Sequence, residues 1–157
     1  MRRAAEDPCR RMAGLLPDPT PIRYDACMDE APRGRVQKPV RFVAHTREEM
    51  RLLPDEVRRA FGHALQFAQR GEKAPSARPL KGYHGAGVLE VVEGYDTDAY
   101  RAVYTVRFAG VVYVLHVFQK KSPSGKRTAT QDLDLIRERL RCAEEDYRQE
   151  SHRTRRG

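Results

Sequence analysis

Two β-type segments joined by a short glycine turn decide the fold of this chain. They are Tyr100-Arg-Ala-Val-Tyr-Thr-Val-Arg-Phe108 and Val111-Val-Tyr-Val-Leu-His-Val-Phe118, with Ala109-Gly110 between them. β-Branched and aromatic residues dominate both segments, which is typical of strands. Two such runs separated by a glycine-containing dipeptide predict a tight antiparallel hairpin.

The register of this hairpin determines which side chains share a face of the sheet. If Phe108 lies opposite Val111, one face presents Arg101 and also His116, the latter opposite Val103. The other face carries apolar side chains, among them Tyr100, Tyr104, Tyr113, Leu115 and Val117. An apolar sheet face is the natural bed for helices. We therefore expect the face with Arg101 and His116 to be open.

The segment before the hairpin predicts a strand followed by an αα-hairpin, or by one helix with a proline break. Val40–Ala44 alternates like a strand, and Thr46 with Glu49 has the spacing of a capping box that starts a helix. Pro54 suits the first turn of a second helix. The apolar stripe of that helix comprises Val57, Phe61, Ala64, Leu65 and Ala68, and Gly71 is a plausible C-cap.

Further elements complete the fold on both sides of the hairpin. The sequence predicts a loop over residues 72–87, a strand over Val88–Glu93, a basic loop over residues 119–129 and a helix from Thr130 to about Tyr147. The stripe of the last helix is Leu133, Ile136, Leu140 and Ala143. The order β-α-α-β-β-β-α predicts an α+β fold.

Charge and composition divide the 157 residues into three parts. Residues 1–38 contain five of the ten prolines and predict a disordered or mis-started N-terminal extension. Residues 39–143 form the folded domain and hold 18 basic against 12 acidic residues, out of a total net charge of +8. Residues 144–157 are a charged C-terminal tail. A cationic folded surface favours a polyanionic partner.

Several classes of protein are disfavoured by the sequence. No apolar stretch approaches the roughly 20 residues of a membrane helix, and the N-terminus lacks the apolar core of a signal peptide, so we expect a cytoplasmic protein. Cys9, Cys27 and Cys142 have no paired spacing, which predicts free thiols and neither a zinc site nor a disulfide framework. We expect no metal and no cofactor.

A set of cations with one histidine and one aromatic residue carries the candidate chemistry. Its members are Lys81, Arg101, His116, Phe118, Lys120 and Lys121, with Arg107 as a further RNA contact. Arginine and lysine bind phosphates, and Phe118 can stack on a base. RNA cleavage requires proton transfer at the 2′-hydroxyl and at the leaving oxygen, which histidine can perform. Glu90 is a second possible base, or it orients Arg101.

At these residues the sequence resembles the RelE/HigB-like toxins of the RelE/ParE superfamily, in particular their phage-derived branch. The matching pieces, in order, are Lys38-Pro-Val-Arg-Phe42, Pro79-Leu-Lys-Gly82, Val88-Leu-Glu-Val91, Tyr100-Arg-Ala-Val-Tyr104, Leu115-His-Val-Phe-Gln-Lys-Lys-Ser122 and Asp134-Leu-Ile-Arg137. The resemblance implies a RelE-like, microbial-ribonuclease-type fold: an N-terminal strand, an αα-hairpin, an antiparallel sheet and a C-terminal helix, with the helices on one sheet face.

The resemblance also implies a function. It implies a type II toxin that cleaves mRNA on the ribosome without metal or cofactor and is neutralised by a cognate antitoxin, often a helix-turn-helix protein. Lys81 then corresponds to the loop lysine, Arg101 to the strand arginine, and His116, Lys120 and Lys121 to the basic cluster of the last strand. Two alternatives remain open: a ParE-like gyrase inhibitor, and a non-catalytic or decayed domain that binds RNA or its antitoxin.

Overall fold

The chain folds into one five-stranded mixed sheet with a long helix packed on each face. The computed structural model describes residues 37–83, 87–120 and 130–156. The elements are, in chain order, β1 (Val40–Phe42), α1 (Thr46–Arg51), α2 (Asp55–Gln69), β2 (Ala77–Pro79), β3 (Val88–Tyr95), β4 (Asp98–Thr105), β5 (Val112–Lys120) and α3 (Thr130–Arg156). The predicted α+β class is confirmed.

The strand order in the sheet is β1-β5-β4-β3-β2. β1 pairs with β5 in parallel, and the remaining neighbours are antiparallel. β2 falls inside the stretch predicted as a loop, because a three-residue strand that ends in proline gives no alternating signal. The hairpin of β4 and β5 is confirmed, but its connection runs over residues 106–111 and is longer than the predicted tight turn.

A β-bulge changes the predicted register halfway along this hairpin. Arg101 pairs with Phe118 and Val103 with His116, as predicted, but Tyr104 pairs with Val114 where the prediction placed Leu115. A bulge adds a residue to one strand and reverses the alternation beyond it. Tyr113 and Leu115 therefore lie on the same face as Val103, and the prediction that they share a face with Tyr104 was wrong.

The first sheet face is covered by α2 and has an apolar core. The predicted stripe of α2 is buried there against Val91, Ala102, Tyr104, Val112 and Val114. Pro54 is the N-cap of this helix, one position earlier than predicted. At the other end the C-cap is Arg70, one residue before the predicted Gly71. Gly71 follows it with a φ of 78°, which glycine adopts without strain.

The second sheet face is covered by α3, which corrects two expectations. The stripe of Ile136, Leu140 and Ala143 packs on this face with Val103 and Leu115. The helices therefore lie on both faces, whereas the resemblance implied one, and the face of Arg101 and His116 is not open along its whole length. The bulge contributes to this arrangement because it turns Tyr113 and Leu115 toward α3.

α3 continues well beyond Tyr147, to Arg156. Residues 144–156 are helical, although the sequence assigned them to a charged tail. This part of the helix also contacts the sheet, because Asp146 accepts hydrogen bonds from Arg41 and from the Tyr113 hydroxyl, both at 2.7 Å. Earlier in the same helix, Cys142 is disulfide-bonded, which differs from the expectation of free thiols.

Candidate functional site

The second sheet face presents the predicted site residues in two rows across the strands. One row runs through Glu90, Val103 and His116 on β3, β4 and β5, and the next runs through Val92, Arg101 and Phe118. Lys120 follows one step further, opposite Ala99. The sheet thus brings together five of the residues that the sequence singled out: Glu90, Arg101, His116, Phe118 and Lys120.

Arg101 is buried and held by Glu90. Its Nη1 donates a hydrogen bond of 2.9 Å to Glu90 Oε2, and its side chain is 8% exposed against 14% for Glu90. A buried ion pair needs well-made hydrogen bonds to offset the cost of removing both charges from water. Glu90 therefore fixes the position of Arg101, as one of its two predicted roles required.

His116 is also buried, being 6% exposed, and both of its ring nitrogens have partners. Nε2 lies 3.1 Å from Asp132 Oδ1, and Nδ1 lies 3.0 Å from Arg139 Nη1. In the neutral ring, Nδ1 accepts from Arg139 and Nε2–H donates to Asp132, because arginine can only donate. In the protonated ring, Nδ1–H faces Glu49 Oε2 at 3.6 Å. The ring stacks on Phe118 with 4.6 Å between centroids. His116 is thus a packed, oriented group behind the exposed surface.

Behind His116 lies a polar cluster that the sequence did not predict. Arg139 Nη1 donates to Leu115 O at 3.0 Å, and Nη2 donates to Glu49 Oε1 at 3.2 Å. Glu49 was assigned to a capping box, but α1 has His45 as its N-cap with no side-chain cap bond, so that prediction was wrong. Burial acts to raise the pKa of Glu49, yet His116 and Arg139 together lower it to about 2.

One signal in the sequence could have revealed this cluster. Arg139 lies three residues after Ile136 and four before Ala143, on the apolar stripe of α3. A charged residue on the buried stripe of a helix requires a buried partner of opposite charge. Asp132 gives no comparable signal, because an acidic residue in the first turn of a helix is ordinary.

The exposed part of the site lies beyond the first turn of α3. Val92 is 41% exposed, and Phe118 and Lys120 are partly exposed. Desolvation, with the positive charge of Arg101 as the next cause, lowers the pKa of Lys120. This edge therefore offers an aliphatic and an aromatic surface beside an amine that loses its proton more readily than an ordinary lysine.

Three predicted site residues are not part of this group. Lys81 is exposed in the turn after β2, and Tyr83 from the same turn ties it to α3 by donating to Leu133 O at 2.9 Å. Arg107 lies at the other end of β4, about 20 Å from Arg101 along an extended chain. There it pairs with Glu144 at 2.7 Å. Lys121 lies outside the described residues.

The arrangement can bind an anion and stack a planar ring at one edge of the sheet. Lys120, which is partly exposed, supplies positive charge, and Phe118 supplies an aromatic face. Within the described residues, no group of three or more histidine, cysteine, aspartate or glutamate side chains could hold a metal ion. Among the helices described, none is long and apolar enough to cross a membrane.

Comparison with protein families gives one match, over residues 48–141, to the family described as phage-derived protein Gp49-like (DUF891). The chain belongs to this family. The Gp49-like family is associated with RelE-type, toxin-like proteins. The match includes most of α1, all of α2, β2 to β5 and the first part of α3. It therefore contains Glu49, Arg101, His116, Lys120 and Arg139. No curated protein and no solved structure matches the chain.

Proposed function

We propose that this Gp49-like protein is a toxin of a type II toxin–antitoxin system, of the HigB-like branch, and that it acts as a ribosome-dependent mRNA endoribonuclease without a metal ion. The observation that carries the proposal is the edge of the second sheet face, where Phe118 and Lys120 are accessible in front of the buried Arg101. A stacking surface beside a partly exposed lysine suits a single-stranded RNA phosphate and its base.

We assign each residue a role from its burial. Lys120 contacts an RNA phosphate with its amine, because it lies at the accessible end of β5, one step beyond Phe118. Phe118 stacks on a base, and Lys81, in the turn after β2 and away from this edge, contacts a more distant phosphate of the RNA. Arg101, held by Glu90, adds positive potential at the position of the developing phosphate charge. His116 orients Phe118 through the stacked rings and is a positioning residue.

The proposal includes the partners of such a toxin. The ribosome presents the mRNA and supplies groups that complete the site, which is consistent with the small number of accessible catalytic side chains in the free protein. A cognate antitoxin, for which a helix-turn-helix protein is the usual type, neutralises the toxin. The site of action is the cytoplasm, where the translated mRNA is found.

A second candidate function is favoured by the burial of His116. Because both ring nitrogens are already bonded, to Asp132 and to Arg139, the histidine has no free position for proton transfer in this conformation. A ParE-like gyrase inhibitor, or a domain that only binds RNA or its antitoxin, requires no general base. Both would use the same cationic edge without cleavage.

The test is induced expression of the full chain in a bacterial host, with growth recorded and mRNA 5′ ends mapped. Lys120→Met removes the amine and keeps the stem of the side chain, whereas Arg59→Ala removes an exposed charge from α2 on the other face of the molecule. We expect growth arrest and new 5′ ends within translated frames, reduced at least tenfold by Lys120→Met and unchanged by Arg59→Ala.

Other results would overturn the nuclease proposal. Arrest without new 5′ ends, accompanied by lost DNA supercoiling, would establish the gyrase alternative. Normal growth with folded protein would leave a binding domain. The variant His116→Gln separates the two roles of the histidine, with the exposed His63→Gln as its control. If His116 is a positioning residue, its replacement lowers the cleavage rate but leaves the pH dependence of cleavage in place.

A further inference from the structure

A second cationic surface lies at the opposite end of the sheet from Lys120. A groove of about 560 Å³ separates the connection between β4 and β5 from the C-terminal half of α3. We name it the α3 groove, and the side chains that define it are Arg107, Phe108, Tyr147, Arg148, His152 and Arg155. The proposed cleavage site uses none of the α3 residues among them.

The charges of the α3 groove come from both of its walls. Arg107 stands on the sheet side, and Arg148 and Arg155 stand on the helix side, seven residues and about 10 Å apart along the helix axis. Glu144 also lines the groove and pairs with Arg107 at 2.7 Å, so one carboxylate accompanies three guanidinium groups. The surface therefore carries a net positive charge.

The floor and the length of the groove suit an extended ligand. Phe108 and Tyr147 pack with 5.0 Å between ring centroids, which gives the groove a rigid aromatic floor. A second depression of about 340 Å³ lies beside the first on α3, shares Glu144, Arg148 and His152 with it, and is otherwise lined by Arg141, Glu145 and Gln149. A small anion would fill only part of this surface, whereas a polymer would follow it.

We propose that the α3 groove binds the phosphate backbone of folded RNA. Guanidinium groups pair with phosphate oxygens through two parallel hydrogen bonds, and all the permanent cations of the groove are arginines. The net charge of +8, with cationic surfaces at both ends of the sheet, favours a long polyanion over a short acidic segment. The helix wall begins at Glu144, beyond the family-matched residues 48–141, whereas Arg107 and Phe108 of the sheet wall lie within them.

This inference deepens the proposed function and rests on it for its biological meaning: an RNA-bound groove would hold the toxin on ribosomal RNA while the Lys120 edge meets mRNA. The binding itself is measured without ribosomes or cleavage. The probe is a fluorescein-labelled RNA duplex of 16 base pairs, titrated with the full chain by fluorescence anisotropy at several salt concentrations.

The variants are matched within one helix. Arg148→Ala with Arg155→Ala removes two groove arginines, and Arg153→Ala with Arg156→Ala removes two exposed arginines that do not line the groove. We expect the groove pair to raise Kd about tenfold or more near 0.1 M salt and to lower the slope of log K against log salt by about two. The control pair should change Kd by less than about threefold.

Several outcomes would overturn the proposal. Equal losses of RNA affinity in the two double variants would mean that the whole helix attracts the duplex diffusely. An unchanged Kd in the groove double variant would mean that the duplex binds elsewhere. A labelled polyglutamate peptide is the competing probe. If it binds more tightly than the duplex and loses affinity in the groove double variant, the groove binds an acidic protein segment and not RNA. Failure of the cleavage proposal is seen separately: the expressed chain would then produce no new mRNA 5′ ends, or cuts that Lys120→Met leaves unchanged, while the groove pair would still weaken duplex binding.

Discussion

The two faces of the sheet differ in what joins them to their helices. The face under α2 has an apolar core, built on Val57, Phe61 and Leu65. The face under α3 combines an apolar core with the buried polar cluster of Glu49, Arg139 and His116. Apolar packing stabilises without directional requirements, whereas a buried polar cluster fixes geometry and contributes less net free energy.

This difference explains where the candidate site lies. α3 begins beside His116, because Asp132 in its first turn bonds the imidazole, and the sheet continues past this point toward Lys120. The polar cluster thus anchors the first turns of α3 next to the edge where Phe118 and Lys120 are accessible. We infer that the α2 face mainly supplies stability and that the α3 face supplies the position of the site.

The largest expected effect is on the α2 face. Phe61 is 1% exposed in the centre of that core, so Phe61→Ala should lower the free energy of unfolding by about 3–5 kcal/mol through lost burial and a cavity. Urea denaturation followed by circular dichroism measures it. Leu52→Ala is the control, since Leu52 is 85% exposed and should change stability by less than about 0.5 kcal/mol. A loss near 1 kcal/mol for Phe61→Ala would contradict the assigned role of α2.

On the α3 face, removing Arg139 should cost about 3 kcal/mol, because Glu49 and the carbonyl of Leu115 lose their donor. Arg139→Met keeps most of the volume of the side chain, and its control is Arg137→Met, whose arginine is 68% exposed. The double variant with Glu49→Gln should recover part of the loss, since it no longer buries an unpaired carboxylate. Simple additivity of the two single variants in denaturation experiments would show that Arg139 and Glu49 are not coupled.

The third expected effect is a pH dependence of the free energy of unfolding. It should be smaller than the effects of replacing Phe61 or Arg139, and it should arise from the α3 face alone. Burial acts to raise the pKa of Glu49, but His116 and Arg139 lower it from its ordinary 4.5 to about 2. Its stabilising contribution is therefore fully present above pH 4.5 and is lost as the pH falls toward 2. We expect Glu49→Gln to remove about 1–2 kcal/mol of this acid dependence. Denaturation at pH 6 and pH 3 measures it, with the exposed Glu56→Gln as control; equal slopes in both variants would refute the assignment.

The parts of the fold that depend on periodicity could be predicted from the sequence. The apolar stripes of α2 and α3 are buried as predicted, because a 3.6-residue repeat leaves few alternative faces. The pairing of Arg101 with Phe118 was predicted from the turn and is confirmed. Beyond Val103 the prediction failed, because a β-bulge has no pattern in the hydrophobic residues of either strand.

The candidate site was predictable in its residue types but not in their exposure. Arg101 and His116 were expected on an open face, and the structure buries both. Their burial depends on where α3 lies, and the sequence places the stripe of that helix without stating which face of the sheet receives it. Glu49 was misassigned because a carboxylate three residues after a threonine serves equally well as a cap or as a partner for a distant arginine.

The smallest expected effects compare two tyrosines on neighbouring strands that point to opposite faces. Tyr104, on the α2 face, has a hydroxyl with no hydrogen-bond partner in the part of the chain that the structure describes, and burial raises its pKa to about 12. Tyr113, on the α3 face, donates to Asp146 at 2.7 Å. Tyr113→Phe should cost about 1.5 kcal/mol, whereas Tyr104→Phe should leave stability unchanged or raise it by up to about 1 kcal/mol, because it removes a buried polar group. Denaturation of both variants measures the difference, and a destabilised Tyr104→Phe would show that the α2 face also depends on a polar contact.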